Sequence, residues 1–220
     1  MAGLERSAVA ALFDFDGTLT RRDTFLPFTG HLARSGALGR LELARLGLAL
    51  VGYRLGRLSI EQLKTALLQR LASLPAARRR AIIEGFCQRV LGRLWRPAGL
   101  ERLAWHRRQG HRLVLISASL EIYLRPAVAG LGLADVIGTA HHEQARWRVA
   151  GANCYGPEKI RRLAARPWFE RVDWAASWAY SDHPSDLPLL TLCGHPVAAN
   201  PTPALRRHAA RAGWRIMDWR

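Results

Sequence analysis

The first legible pattern is an uninterrupted apolar run, Val9-Ala10-Ala11-Leu12-Phe13, that stops at Asp14. A run this short, without polar alternation, predicts a strand buried on both faces, as in a parallel sheet. From Arg21 to Leu94 the period changes. Apolar residues recur at helical spacing: Leu38, Leu41, Leu46, Leu48 and Val51, then Leu63, Leu67, Leu68 and Leu71, then Ile82, Ile83, Phe86 and Val90. Ser59 followed by Gln62 has capping-box spacing, and Ser73 to Ala76, with Pro75, separates two helices. From Pro97 onward short apolar runs alternate with helical segments. Strands are expected at Arg112–Ile116, Ala134–Thr139, Ala175–Tyr180, Pro196–Asn200 and Trp214–Trp219. Helices are expected at Gly99–Gln109, Leu120–Gly130, from Pro157, at Leu187–Leu192 and at Pro203–Ala212, and a small hairpin or extended excursion at Arg146–Tyr155. This alternation predicts an α/β fold, a Rossmann-like parallel sheet with helices on both faces. The expected division is a core of residues 1–20 and 95–220, with residues 21–94 inserted as a helical unit after the first strand.

Composition narrows the picture without deciding it. The 220 residues carry 33 Lys plus Arg against 17 Asp plus Glu, a formal net charge of +16. Such a surface attracts phosphates, nucleic acid or anionic lipid. No compact basic run with interleaved aromatics and no zinc-finger spacing occurs, so no specific nucleic-acid partner is expected. Cys87, Cys154 and Cys193 are far apart and form no CxxC pair, which points away from a zinc site or disulfide framework. No apolar stretch approaches the roughly 20 residues of a spanning helix. These features read as a soluble, cytoplasmic protein. The Ala37–Leu58 segment mixes leucines with Arg40, Arg45, Arg54 and Arg57. Packing on the core is the expected arrangement, and weak association with an anionic membrane surface is the alternative.

Chemistry concentrates at strand ends. Asp14 and Asp16 follow the first strand, Ser117 and Ser119 the second, and Asp182 and Asp186 a later one, while Lys159 sits near a helix start. A parallel sheet gathers all its strand C-termini on one edge, so these groups can converge. Several aspartates at one point repel one another unless cations neutralise them, which suggests a hard cation with oxygen ligands, Mg2+ best of all.

Four stretches, in order and spacing, carry a family resemblance: Asp14-Phe15-Asp16-Gly17-Thr18-Leu19-Thr20, the strand ending in Ser117, the Gly-Pro-Glu-Lys that ends at Lys159, and Ser181-Asp182-His183-Pro184-Ser185-Asp186. Together they resemble the motifs of the haloacid dehalogenase-like (HAD) phosphatases, subfamily IB, the phosphoserine-phosphatase-like branch. The helical insertion resembles that superfamily's type 1 cap. The resemblance implies a Mg2+-dependent phosphomonoester hydrolase acting through an aspartyl-phosphate on a small phosphorylated metabolite. A phospholipid head-group phosphatase at the membrane surface, or a phosphotransferase, are the alternatives. It further implies Asp14 as nucleophile and Asp16 as acid and base. Ser117, Ser119 and Lys159 would bind the phosphoryl oxygens. The metal would be held by Asp14, the Asp16 carbonyl and Asp182, with Asp186 behind them. Asp23 and His183 are candidates for substrate specificity. Asp23 can instead cap the next helix, Ser119 can cap the helix at Leu120, Asp186 can be an N-cap, and His183 can merely fill the rim. His141 and His142 read as solvated surface. Oligomeric state is left open.

Overall fold

The computed structural model describes residues 8–143 and 146–219. The expected core segment 1–20 is therefore seen from Ala8, and Met1–Ser7 and Arg220 lie outside the described residues. The predicted buried strand is β1 (Ala10–Phe13), with every residue fully buried. It lies inside a six-stranded sheet with β2 (Arg112–Leu120), β3 (Asp135–Thr139), β6 (Trp178–Ser181), β7 (His195–Ala199) and β8 (Arg215–Met217). The strand order is β3-β2-β1-β6-β7-β8, and all five pairings are parallel. The chain thus starts near the centre, builds outward through β2 and β3, then returns to the other side of β1. That reversal places a switch point beside the C-terminal end of β1, where open α/β sheets bind ligands. The remaining pair, β4 (His141–His142) and β5 (Arg148–Val149), forms a separate antiparallel ribbon. The hairpin expected at Arg146–Tyr155 thus begins earlier. His142 is exposed, but His141 is half-buried and lies 5.0 Å from the Trp147 ring, so it is not fully solvated.

The helices expected after β1 are α1 (Phe25–Arg34), α2 (Arg40–Arg54), α3 (Ile60–Ala72) and α4 (Ala76–Gly85). The capping box at α3 forms as read: Ser59 N donates to Gln62 Oε1 at 2.8 Å, and Gln62 N donates to Ser59 Oγ at 3.2 Å. Among the described residues no helix is long and apolar enough to cross a membrane, and all three cysteines are free. The inserted helices share a core with one face of the sheet. Phe28 of α1, Phe86 and Tyr123 form an aromatic triad with ring centroids 4.6–5.4 Å apart. Tyr123 belongs to α6 (Glu121–Val128), which follows β2, so the triad pins the insertion to the sheet layer. The chain leaves and re-enters the sheet side by side. Thr20 bridges Trp95, Arg21 N donates to Leu94 O at 2.8 Å, and Arg96 N donates to Leu19 O at 2.9 Å.

α2 packs on the core, as expected, but through one side only. Leu46, Ala49 and Leu50 pack inward, yet no residue of α2 is fully buried. Leu41, Leu48, Val51 and Leu55 face solvent. The remaining helices, α5 (Pro97–Arg108), α7 (Pro157–Ala164), α8 (Leu187–Leu192) and α9 (Pro203–Arg211), cover the sheet as the alternating pattern predicts.

A buried histidine supports the sheet from α5. His106 Nε2 lies 2.7 Å from the Tyr180 hydroxyl, and its Nδ1 lies 2.8 Å from His111 Nδ1. Tyr180 in turn stacks on Phe13 of β1 at 4.6 Å. Burial, reinforced by His111 and Arg102, lowers the His106 pKa from 6.5 to about 3. The unfolded chain gains this proton near its ordinary pKa and the folded chain does not, so the stability His106 contributes is present above that value and drains as the pH falls. The stability advantage of wild type over His106→Asn should shrink by about 2 kcal/mol between about pH 7 and about pH 5. Urea unfolding of both proteins checks this, and a pH-independent difference would refute it.

Candidate active site

β1, β2, β6 and β7 all deliver polar residues to the same edge. Asp14 follows β1, its N–H still held by Tyr180 O at 2.9 Å. The chain then turns through Phe15–Leu19, with Gly17 at a φ of 79°. A side chain at position 17 would sit 2.3 Å from Asp182 Oδ2, so the turn needs glycine for both its backbone and its neighbour. β2 is longer than expected. Its pairing with β3 shifts register between Ile116 and Leu120, and Ser117 and Ser119 stand on that irregular stretch. Lys159 lies in the first turn of α7, and Asp182 and Asp186 follow β6.

Lys159 is 3% exposed, and its Nζ donates to Asp14 Oδ1 at 2.6 Å and Asp186 Oδ2 at 2.7 Å. Burial opposes its charge, but the two carboxylates outweigh that and raise its pKa, keeping it an ammonium. Asp186 also accepts from Ser181 Oγ at 2.7 Å. It makes no side-chain cap to α8, so the N-cap alternative falls away. Thr18 Oγ1 lies 3.1 Å from both Asp14 Oδ2 and Asp182 Oδ1, tying the two carboxylates together. Burial first, then the charge of Asp14, pushes the Asp182 carboxyl up to about 7.

Asp16 has a different setting. Its Oδ1 accepts from Thr24 N at 2.9 Å and its Oδ2 from Ser119 Oγ at 2.6 Å. Ser119 accepts in turn from the Tyr123 hydroxyl at 2.8 Å. Burial, followed by the charge of Asp23, holds the Asp16 carboxyl up at about 7 against these hydrogen bonds. Ser119 Oγ thus engages Asp16 and Tyr123, makes no side-chain cap to α6, and borders a second cavity beneath the inserted helices. Ser117 is buried, accepts from Ser119 N at 3.0 Å and lines the cavity beside Lys159.

Two cavities meet at Asp16. One, of about 430 Å³, is polar and lined by Asp14, Ser117, Lys159, Asp182, Arg21 and Arg96 among others. The second, of about 340 Å³, runs beneath the inserted helices and is lined by Phe25, Leu26, Leu50, Tyr53 and Lys64. Asp16, Asp23, Ala118 and Tyr155 border both. Asp23 is exposed, and its Oδ1 accepts from Phe25 N at 2.8 Å, so it braces the start of α1 while facing the junction. His183 is exposed at the rim, and its Nδ1 accepts from Ser185 N at 3.2 Å, so the ring caps the turn at 184–186 while bordering the polar cavity.

Three contributors were not singled out from the sequence. Thr18 Oγ1 links Asp14 and Asp182, and its spacing of four from Asp14 is the sequence signal for it. Asn200 has a left-handed φ of 50° at the end of β7, and its Nδ2 donates to Thr18 O at 3.3 Å. Lys64 donates to Ala118 O and Asn153 Oδ1, both at 2.6 Å, and burial lowers its pKa to about 8. As one of only two lysines in an arginine-rich chain, Lys64 was the most detectable.

The sequence matches the haloacid dehalogenase-like hydrolase family over residues 11–191. It is 27% identical to a histidinol-phosphatase of Neisseria meningitidis, covering 96% of this chain and 98% of that one. A crystal structure of a Bordetella pertussis protein of unknown function superposes with a TM-score of 0.85 at 27% identity, over 96% of this chain and 99% of the other. A phosphoserine phosphatase solved as a phospho-aspartyl intermediate analogue shares the fold, with a TM-score of 0.60 at 17% identity over 96% and 93% of the two chains. Four motifs gathered on one sheet edge, and relatives matched along nearly their whole length, identify the chain as a phosphatase belonging to the haloacid dehalogenase-like hydrolase family.

Proposed function

We propose that the chain hydrolyses a small phosphomonoester through an aspartyl-phosphate on Asp14, with Asp16 as acid and then base. The observation that carries this reading is the position of Asp16 at the junction of two cavities. The polar cavity has the ammonium of Lys159, the Ser117 hydroxyl and nearby arginines to receive a phosphoryl group. The apolar cavity suits the organic part of the ester. The bridging oxygen between them then falls beside the Asp16 carboxyl. Asp14 Oδ attacks phosphorus as the bond to that oxygen breaks, and the departing alkoxide takes the Asp16 proton. Water next attacks the same phosphorus, Asp16 takes the water proton, and phosphate leaves as Asp14 is regenerated. A carboxyl held near 7 serves both directions at neutral pH. The phospho-aspartyl form studied for the phosphoserine phosphatase of the same fold supports this chemistry.

The donor set fits Mg2+. Asp14 and Asp182 stand side by side through Thr18, Lys159 pairs with Asp14 and Asp186 but not with Asp182, and the buried Asp186 Oδ1 has no hydrogen-bond partner. Among the described residues no three His, Cys, Asp or Glu side chains form a metal-holding group. The side chains of Asp14 and Asp182, with the Asp16 backbone carbonyl, would hold the cation. A hard cation held there would offset negative charge on the phosphoryl oxygens. The acceptor is water in this reading; transfer to an alcohol would give the phosphotransferase alternative.

Among organic groups, a hydroxyl-bearing metabolite of modest size fits the second cavity, and the histidinol-phosphatase relative supports a small amine-containing alcohol. Asp14→Asn should abolish turnover of any phosphate ester, measured as released phosphate; wild-type activity in that variant would sink the mechanism. Asp16→Asn should lower kcat by roughly 10²–10⁴-fold, and most for esters with poor leaving groups. An equal loss for alkyl and nitrophenyl esters would remove Asp16 from the acid role. Chelation should stop turnover and added Mg2+ should restore it; activity in excess EDTA would exclude the metal.

A further inference from the structure

We infer that the outward face of α2 is a docking surface for an anionic lipid bilayer. Leu41, Ala44, Leu48, Val51 and Leu55 recur at alternating spacings of three and four, which aligns them in one stripe along the helix. The stripe points away from the protein: Leu41 is 63%, Leu48 71%, Val51 53% and Leu55 62% exposed. The opposite side of α2, with Leu46, Ala49 and Leu50, already packs on the core. A helix apolar on two sides needs only one of them for folding, so the second has another partner.

The surroundings say which partner. Arg40, Arg45, Arg54 and Arg57 are exposed beside the stripe, while Glu42, the one acid between residues 37 and 58, is engaged by Gly39 N and Arg70. A second copy would bring the same arginines against each other, in a protein of net charge +16, with no acid to answer them. An anionic head-group layer over an acyl interior matches both parts of the surface, arginines above and leucines below. Six of the eight exposed large apolar side chains among the described residues lie within 41–55, and the other two, Leu26 and Tyr155, border the second cavity beside Tyr53.

Co-sedimentation of the full chain with phosphatidylcholine vesicles, with and without about 30% phosphatidylglycerol, tests the inference. Pelleting is expected with the anionic vesicles only, and should weaken as salt is raised. Leu48→Glu combined with Leu55→Glu should reduce bound protein by roughly tenfold or more, while turnover of a soluble phosphate ester stays at the wild-type rate and circular dichroism stays native. Arg45→Glu should weaken binding and flatten its salt dependence. Absence of pelleting at low salt, wild-type pelleting by the double variant, or equal binding to neutral vesicles would overturn the inference. So would a dimer in sedimentation velocity that the double variant dissolves, since the stripe would then belong to a second copy. The soluble-ester assay reads the proposed catalytic chemistry separately, so failure of either reading is recognised on its own.

Discussion

One buried ammonium holds the candidate site together. Lys159 sits between Asp14 and Asp186, almost without solvent, and each contact joins a different part of the chain. Asp14 is anchored to β1, Asp186 to the turn after β6, and Lys159 itself to α7. Removing the lysine would leave two carboxylates facing each other out of water, a loss on the order of 3–5 kcal/mol for a broken buried pair. Arginine would not substitute, because a bulky planar guanidinium would replace a compact ammonium that reaches both oxygens from one buried nitrogen, at 2.6 and 2.7 Å. The charge balance also explains the neighbourhood. One lysine does not neutralise three aspartates, and Asp182, buried first of all and then facing the charge of Asp14, resists ionisation.

The two aspartates of the opening motif are separated by their partners more than by distance. Asp14 is bound to a cation and to a threonine hydroxyl. Asp16 meets only uncharged donors, and those come from three places: the start of α1 through Thr24, the end of β2 through Ser119, and α6 through Tyr123 behind Ser119. Tyr123 is also the ring against which Phe28 and Phe86 pack. The hydrophobic seam between the inserted helices and the sheet layer is thus one residue away from the group assigned the proton transfers. Packing and acidity are coupled there by geometry alone.

Much of this was readable from the residue pattern. The buried strand at β1, the alternation that makes the parallel sheet, the helix start at Ser59 and the convergence of Asp14, Lys159, Asp182 and Asp186 all follow from period and topology. What was not readable depended on tertiary context. Ser119 had two local readings, a helix cap or a phosphate contact, and the structure gives it a third, because the register shift in β2 turns its hydroxyl toward Asp16. Asn200 reached the site only because β7 lies two strands from β1 and ends in a left-handed residue. For α2 the core packing was legible but not which side makes it, because its leucines satisfy a helical period on two sides at once.

The paired connections at Thr20 and Trp95 have a meaning beyond local bonding. The inserted helices begin and end at neighbouring points, so the sheet sees them as a single attachment and not as a span to be bridged. A segment joined in this way can be lengthened, shortened or replaced without altering the spacing of the strands that carry Asp14 and Asp182. Strand spacing and the length of the insert are therefore set separately, with the contacts of Thr24 to Asp16 and of Phe28 to Tyr123 as the links that any change in the insert must keep.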